Sequence, residues 1–350
     1  MKKEVSKKKL AVFLVLSMLL ITFSFYFYQV IFTPNILVDQ PDRLIVIKPR
    51  STFAQVRKEL ADARIINDVV SFSFIARIMN YDRGVRPGRY MLRKNMSNRD
   101  AIRELKQGRR EIVKVTFTHI RLLDELAEKI TSNVGVTSDE FLDALDDFIE
   151  TNDAGFTKEN IICMFIPNTY EVYFNLTPED LVLRMYDEYK KFWNEVRREK
   201  AKKSGLNPIE VSVLASIVQA ESVKKDEAPV IAGLYLNRLR KGIPLQADPT
   251  LIFAAGDFTI KRVLNGHKEI DSPYNTYKYA GLPPGPVNMP YVSSIDAVLN
   301  FQSHDYYYMC AKEDFSGYHN FANDLNTHTN NARRYQRALN AEMRKAKQNK

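Results

Sequence analysis

The sequence predicts an α+β protein carried on an N-terminal transmembrane helix, and three observations lead there. A long apolar run opens the chain, residues 44–115 alternate strand patterns with capped helices, and the last third couples helices to a hairpin. With 350 residues, 45% of them hydrophobic, there is enough chain for two or three domains.

Lys2, Lys3, Lys7, Lys8 and Lys9 precede an apolar stretch from Leu10 to Phe32, broken only by Ser17, Thr22, Ser24 and Gln29. About 23 such residues cross a bilayer core as a helix. A cleaved signal would have a shorter apolar core and a small-x-small cleavage site. This run ends instead in FYFYQVIF, whose Tyr26 and Tyr28 suit an interfacial belt. Residues 1–9 are therefore read as a cytoplasmic N-terminus, 10–32 as an uncleaved anchor and 33–43 as a linker. The lysines keep the N-terminus in the cytoplasm and place everything after Phe32 on the outer side of the cytoplasmic (inner) membrane. That placement removes nucleic acid as a partner, although the formal charge is +9. The basic tail, 341–350, fits a membrane surface or an acidic polymer of the envelope. Cys163 and Cys310 match no metal spacing; a disulfide and two free thiols both remain open.

Within 44–115, LIVIKP reads as a strand, and Thr52 with Gln55 as a capping box opening a helix through Val56 and Leu60. A second helix is expected around 71–79. GRYMLRKNMSNRDAIRELKQG then gives a strand, a Ser97 cap, a helix with Ile102 and Leu105, and Gly108 as its stop. EIVKVTFTHI alternates as a strand before the helix LLDELAEKI. Residues 116–205 form a mainly helical middle region, with FIPNTYEVYFNLTPEDL as loop and strand before one long helix that ends in RREKAKKSG. In 206–340, Asn207, Pro208 and Glu210 cap a helix running to about Ser222. Another helix spans about 228–241, stopping at Gly242. Residues 271–291 carry five prolines and no periodicity, which suits a functional loop or a disordered one. DYYYMCA and GYHNFA form a hairpin across KEDFS, followed by a terminal helix.

One residue of the 207–222 helix stands out. On a wheel of about 100° per residue, Leu214, Ile217 and Val218 lie within about 60° of Glu221, while Ser212, Ser216 and Gln219 lie opposite. Glu221 thus sits on an apolar face, where an ionised carboxylate is costly and the proton is retained to higher pH. A group protonated near neutral pH can act as a general acid. The plainer reading is a carboxylate at the helix end that snorkels or pairs with an arginine such as Arg238. Gln246, Asp248 and Thr250 in LQADPT, with Tyr274, Asn275, Thr276, Tyr277 and Tyr279, add the aromatic, amide and hydroxyl groups that suit a sugar. Asp248 before Pro249 also reads as the N-cap of the short helix TLIFAA. His319 is read first as a strand histidine that satisfies its own hydrogen bonds, with substrate orientation as the alternative. No HExxH, Cys/His cluster, GxSxG or phosphate loop occurs, so no metal or cofactor is expected.

ASIVQAES, YLNRL, LQADPT, YNTY and GLPPGP occur in the order seen in the endolytic peptidoglycan transglycosylases (MltG/YceG-like), which the chain resembles. FIPNTYEVY is similar to that family's FPDTY element, with Asn168 in place of its aspartate. GRYMLRKNMSNRDAIRELKQG resembles its LysM-like module, so the resemblance makes 44–115 that module and 206–340 the catalytic domain. It implies Glu221 as the acid of an E-x-E pattern whose first position is Gln219 here. It further implies Gln246, Asp248, Asn275 and Tyr277 as cleft residues, with glycan strands of peptidoglycan and cell-wall synthesis enzymes as partners. The implied reaction is non-hydrolytic: the muramic acid's own C6 hydroxyl attacks its anomeric carbon, leaving a 1,6-anhydro end and limiting strand length. A hydrolase using Asp248 or Glu227, and a non-enzymatic glycan-binding scaffold, are the rival expectations.

Overall fold

A computed structural model describes residues 7–108 and 111–348. Lys2, Lys3 and the last two residues of the basic tail lie outside them. In chain order the elements are α1 (Lys7–Phe32), β1 (Pro34–Ile36), β2 (Arg43–Ile47), α2 (Phe53–Asp62), α3 (Val69–Ile78), β3 (Gly88–Leu92), β4 (Met96–Ser97), α4 (Asn98–Gln107) and β5 (Ile112–Phe117). These are followed by α5 (Leu123–Thr131), α6 (Ser138–Thr151), β6 (Asn168–Tyr173), α7 (Pro178–Phe192), α8 (Glu195–Ser204), α9 (Pro208–Glu221), α10 (Ala228–Arg240), α11 (Asp248–Ala255), α12 (Val292–Leu299), β7 (Tyr308–Ala311), β8 (His319–Ala322) and α13 (Leu325–Gln348). The mixed α and β composition agrees with the sequence. The chain divides into two compact units, one made of residues up to 114 with 133–137 and 171–177, the other of the remainder.

In the first unit α1 is 26 residues long, with no side chain fully buried, and among the described residues it is the one helix long and apolar enough to cross a membrane. Its last turn is joined to the unit it precedes. Asn98 donates from Nδ2 to the Val30 carbonyl at 2.9 Å and accepts from Asn35 Nδ2 at 2.7 Å. The Asn35 side chain accepts the Asp68 N–H at 2.6 Å. Such buried amides are tolerated because each is hydrogen-bonded. β2, α2, α3 and β3 follow as strand, helix, helix, strand, with β2 and β3 antiparallel over Arg43↔Leu92 to Ile47↔Gly88. The expected caps are present: the Thr52–Gln55 capping box on α2, Ser97 on α4, and Gly108 in the left-handed region at φ 58°. Ile45, Ile47, Val56, Leu60, Phe72, Tyr90, Ile102 and Leu105 close the core of this unit.

The second unit centres on α9, which packs against α8, α10, α11 and α12. The sequence expects one long helix after FIPNTYEVYFNLTPEDL, ending in RREKAKKSG, but the structure breaks it at Trp193 and Asn194. Asn194 caps α8 by accepting the Arg197 N–H at 3.1 Å, Trp193 is fully buried, and Arg198 Nε donates to the freed Trp193 carbonyl. A local side-chain cap there outcompetes helix continuation. α9 also departs from its wheel. Val211–Val218 are all buried, Ser212 and Ser216 included, so the helix has no solvent face over that stretch. The serines are tolerated because their hydroxyls bond to the preceding turn: Ser212 Oγ to Pro208 O and Ser216 Oγ to Val213 O. Ser216 Oγ also accepts the Val287 N–H at 3.0 Å. A helix apolar all round belongs in a core. The expected hairpin is present, β7 pairing with β8 from Tyr308↔Ala322 to Ala311↔His319, with α13 packed on both strands.

Candidate active site

Glu221 is the last residue of α9, and the Ser222 N–H closes that turn on Val218 O at 3.0 Å. A helix C-terminus carries partial negative charge and disfavours an ionised carboxylate there. The side chain opens on a cavity of about 480 Å³ lined by Tyr235 and Arg238 of α10, Gln246, Asp248, Tyr277 and the hairpin strands. Burial, followed by the Asp248 charge, pushes the Glu221 carboxyl up to about 7, against the pull of hydrogen bonds from the Tyr235 hydroxyl and the Asp248 backbone N–H. Tyr235 is itself buried and held well above the usual phenol range, so it remains a donor. The wall is not the apolar one the wheel implied. Most of its members are polar, and Leu234, Leu245, Met309 and Ala311 stand among them.

Gln246, Asp248 and Tyr277 come together in this cavity. Tyr277 donates its hydroxyl to Asp248 Oδ1 at 2.6 Å. Asp248 is therefore not the side-chain N-cap the sequence suggested: Ala247 occupies that position, and the Asp248 carboxylate turns to the cavity. Gln246 adopts a left-handed φ of 54°, unusual for a residue with a side chain, and its backbone N–H bonds Thr276 O at 2.9 Å. The same seam continues through Ala247 N–H to Thr276 Oγ1 at 3.1 Å and the Thr250–Thr276 hydroxyl pair at 2.8 Å. Asn275 does not reach the cavity. It is fully buried, donates to the Lys268 and Ile270 carbonyls at 2.8 Å and accepts the Tyr277 N–H at 3.0 Å. Its amide satisfies loop backbone that would otherwise be orphaned, and it thereby holds Tyr277 in place.

His319 does satisfy hydrogen bonds, its backbone N–H and Nδ1 meeting the Glu227 carboxylate at 2.9 and 3.0 Å, but its ring also lines the Glu221 cavity. Glu227 is thereby engaged and does not line the cavity. Arg238 makes no ion pair with Glu221 among the described residues; its Nη2 donates to Gln246 Oε1 at 3.0 Å. Gln219 points elsewhere, accepting the Tyr291 N–H at 2.6 Å and lining a separate cavity of about 570 Å³ with His119 and Arg121. Cys163 and Cys310 are both free thiols, the first buried and the second in the wall of the Glu221 cavity.

The model of the YceG-like family matches residues 45–334. The chain belongs to that family. Proteins named endolytic murein transglycosylase are its relatives. The one from Streptococcus pneumoniae strain R6 is 27% identical over 353 residues, covering 91% of this chain and 63% of the relative. The one from Bacillus subtilis strain 168 is 32% identical over 249 residues, 66% of this chain and 68% of the relative. The chain thus spans a little under two thirds of the pneumococcal relative. A 2.6 Å crystal structure of a yceG-like protein from Listeria monocytogenes shares the fold at a TM-score of 0.52 and 24% identity, over 83% of this chain and 98% of that one.

For this member of the family, sequence reading missed Tyr235, Tyr308 and His328 as wall residues. Tyr235 had a signal: it lies three residues before Arg238 on α10, on the same helix face. The hairpin and α13 residues had none, because strand register alone brings them to the cavity.

Removing the Asp248 charge tests the electrostatics. Asp248→Asn takes away the second-largest cause of the raised Glu221 value, so that value falls. Followed by carbon NMR of the labelled carboxyl, the Glu221 titration should move to lower pH by roughly one unit. An unmoved titration would mean that burial alone sets it.

Proposed function

We propose that this chain is a membrane-anchored endolytic transglycosylase that cuts the MurNAc–GlcNAc bond of nascent peptidoglycan and leaves 1,6-anhydro-MurNAc ends. The observation that carries the reading is Glu221, a carboxyl enclosed in a cavity and still half-protonated near neutral pH. The names of the relatives support the substrate and reaction class. In the cycle, Glu221 donates its proton to the glycosidic oxygen as the C1–O bond breaks. The muramic acid's C6 hydroxyl attacks C1 from within the same sugar, and its proton passes to the Glu221 carboxylate. The acid is regenerated and no water is consumed. Gln246, Asp248 and Tyr277 bind the glycan, while Asn275 acts through the loop that carries Tyr277.

On this reading α1 is the anchor in the cytoplasmic membrane, with the N-terminus inside and the catalytic domain, 206–340, on the outer face among newly made strands and the enzymes that make them. The strand–helix–helix–strand order of β2, α2, α3 and β3 supports a LysM-like module within 44–115.

Asp248 in the same cavity favours one rival, a muramidase in which it activates water. Incubating sacculi with the full chain in detergent and identifying the products by mass spectrometry separates the two. Anhydro-muropeptides are expected; reducing muramic ends would overturn the transglycosylase reading in favour of hydrolysis.

A further inference from the structure

Arg238 is 7% exposed, and a guanidinium that deep is ordinarily paired with a carboxylate. Among the described residues it has no such partner. Nη1 donates to Leu245 O at 2.7 Å and Nη2 to Gln246 Oε1 at 3.0 Å, while Nε is buried with nothing bonded to it. The Tyr308 ring lies 5.4 Å from its Cζ, and stacked on that ring, 5.3 Å away, is His328, whose Nδ1 is likewise buried and unpartnered. All three side chains line the Glu221 cavity. Two orphaned polar atoms beside one aromatic ring, on side chains that line one cavity, call for an explanation, since buried polar groups are as a rule satisfied. An apolar sugar face would leave both unsatisfied. A carboxylate would supply the charged acceptor that the guanidinium lacks, with the imidazole N–H as a further donor, and such charge-assisted bonds are the stronger kind.

We infer that Arg238 and His328 form a carboxylate-recognising subsite in the Glu221 cavity, so that the substrate is selected by an anionic group as well as by its sugar. Arg238 supplies the remaining Nε and Nη hydrogens of its fork, and His328 supplies an Nδ1–H. The nature of the anion rests on the peptidoglycan reading. There, carboxylates have two sources: the lactyl group of muramic acid stripped of its peptide, and the peptide stems.

The test is a binding measurement that needs no turnover. Full-length Glu221→Gln protein in detergent is titrated with stem-bearing strands and with strands freed of stems by an amidase. Each set is used as it is and with its carboxylates converted to neutral methylamides. Native strands of one set should bind at least tenfold more tightly than their neutralised counterparts, and the set that shows the difference identifies the source of the carboxylate. Adding Arg238→Gln should reduce the difference to threefold or less by weakening the native strands only, and Arg238→Lys should restore part of it. Because Arg238 also braces Leu245, His328→Ala, which gives up no side-chain hydrogen bond among the described residues, serves as the independent variant and should lower the preference at least threefold. Equal affinity for native and neutralised strands, or an equal loss on both in the Arg238 variants, would overturn the subsite. If the selective binding holds while wild-type protein yields no anhydro ends, the transglycosylase reading fails and the subsite stands.

Discussion

Glu221→Gln should fold normally and release anhydro-muropeptides some 10²–10⁴-fold more slowly than wild type, the range a positioned general acid contributes. Glutamine keeps the size of the side chain and can still meet the Tyr235 hydroxyl and the Asp248 N–H, but it has no proton to give the leaving oxygen. The same variant makes a second, opposite prediction about stability. In the folded protein the Glu221 carboxyl is raised to about 7, so the native state holds a proton that the unfolded chain, with an ordinary glutamate, releases lower down. Folding stability therefore falls as pH rises from about 4.5 to 7, and the full penalty persists above that. Gln has no such penalty. The variant should melt above the wild type at pH 8, by an amount on the order of 1–3 kcal/mol, and match it near pH 4.5. Differential scanning calorimetry at the two pH values, beside the product assay, checks both halves. A variant that retains anhydro-end release would end the assignment of Glu221, whatever its melting curve. Loss of activity together with a lower melting temperature at pH 8 would mark Glu221 as a structural group.

Gly285→Ala is expected to cost the second unit about 3 kcal/mol or more, lowering its melting temperature by roughly 6–12 °C. Gly285 lies in the GLPPGP turn, where a Cβ would stand 1.8 Å from the Glu159 carbonyl oxygen and 2.7 Å from the Tyr274 hydroxyl. The first of these is backbone, so it cannot swing aside as a flexible side chain would. Gly281, at the other end of the turn, is the control. Its φ of 98° disfavours alanine, yet nothing lies within 4 Å of a Cβ there, so Gly281→Ala should cost only about 1 kcal/mol. Equal losses at the two positions would show that backbone conformation, and not the close approach to Glu159, is what the turn requires. The comparison also bears on the site, because the same loop carries Asn275 and Tyr277. Residues 271–291 contain no regular element, but the burial of Asn275 and Thr276 and their hydrogen bonds fix the stretch as an ordered wall.

Local signals in the sequence determined the helix and strand boundaries wherever a cap or an alternation was decisive. The Thr52–Gln55 box, Ser97 with Gly108, and Asn207 with Glu210 each satisfy helix-end groups from within a few residues, so the neighbouring chain suffices to read them. The apolar length of α1 was legible for the same reason, since crossing a membrane is a matter of length and composition. The unusual place of Glu221 was legible as well, but only in part. The wheel assumed a solvent face for Ser212, Ser216 and Gln219, whereas packing surrounds α9 on all sides and the serine hydroxyls bond back to their own helix. What raises Glu221 is set by chain segments far apart in sequence. Asp248 faces it because Tyr277, 29 residues on, takes that carboxylate away from a capping role. Arg238, Tyr308 and His328 meet at one cavity only because α10, a strand register and α13 are packed together. Periodicity and capping act over a turn or two of chain, so a sequence can carry them unaided. Desolvation and the field of neighbouring charges depend on which distant residues fill the same few ångströms, and the fold alone decides that.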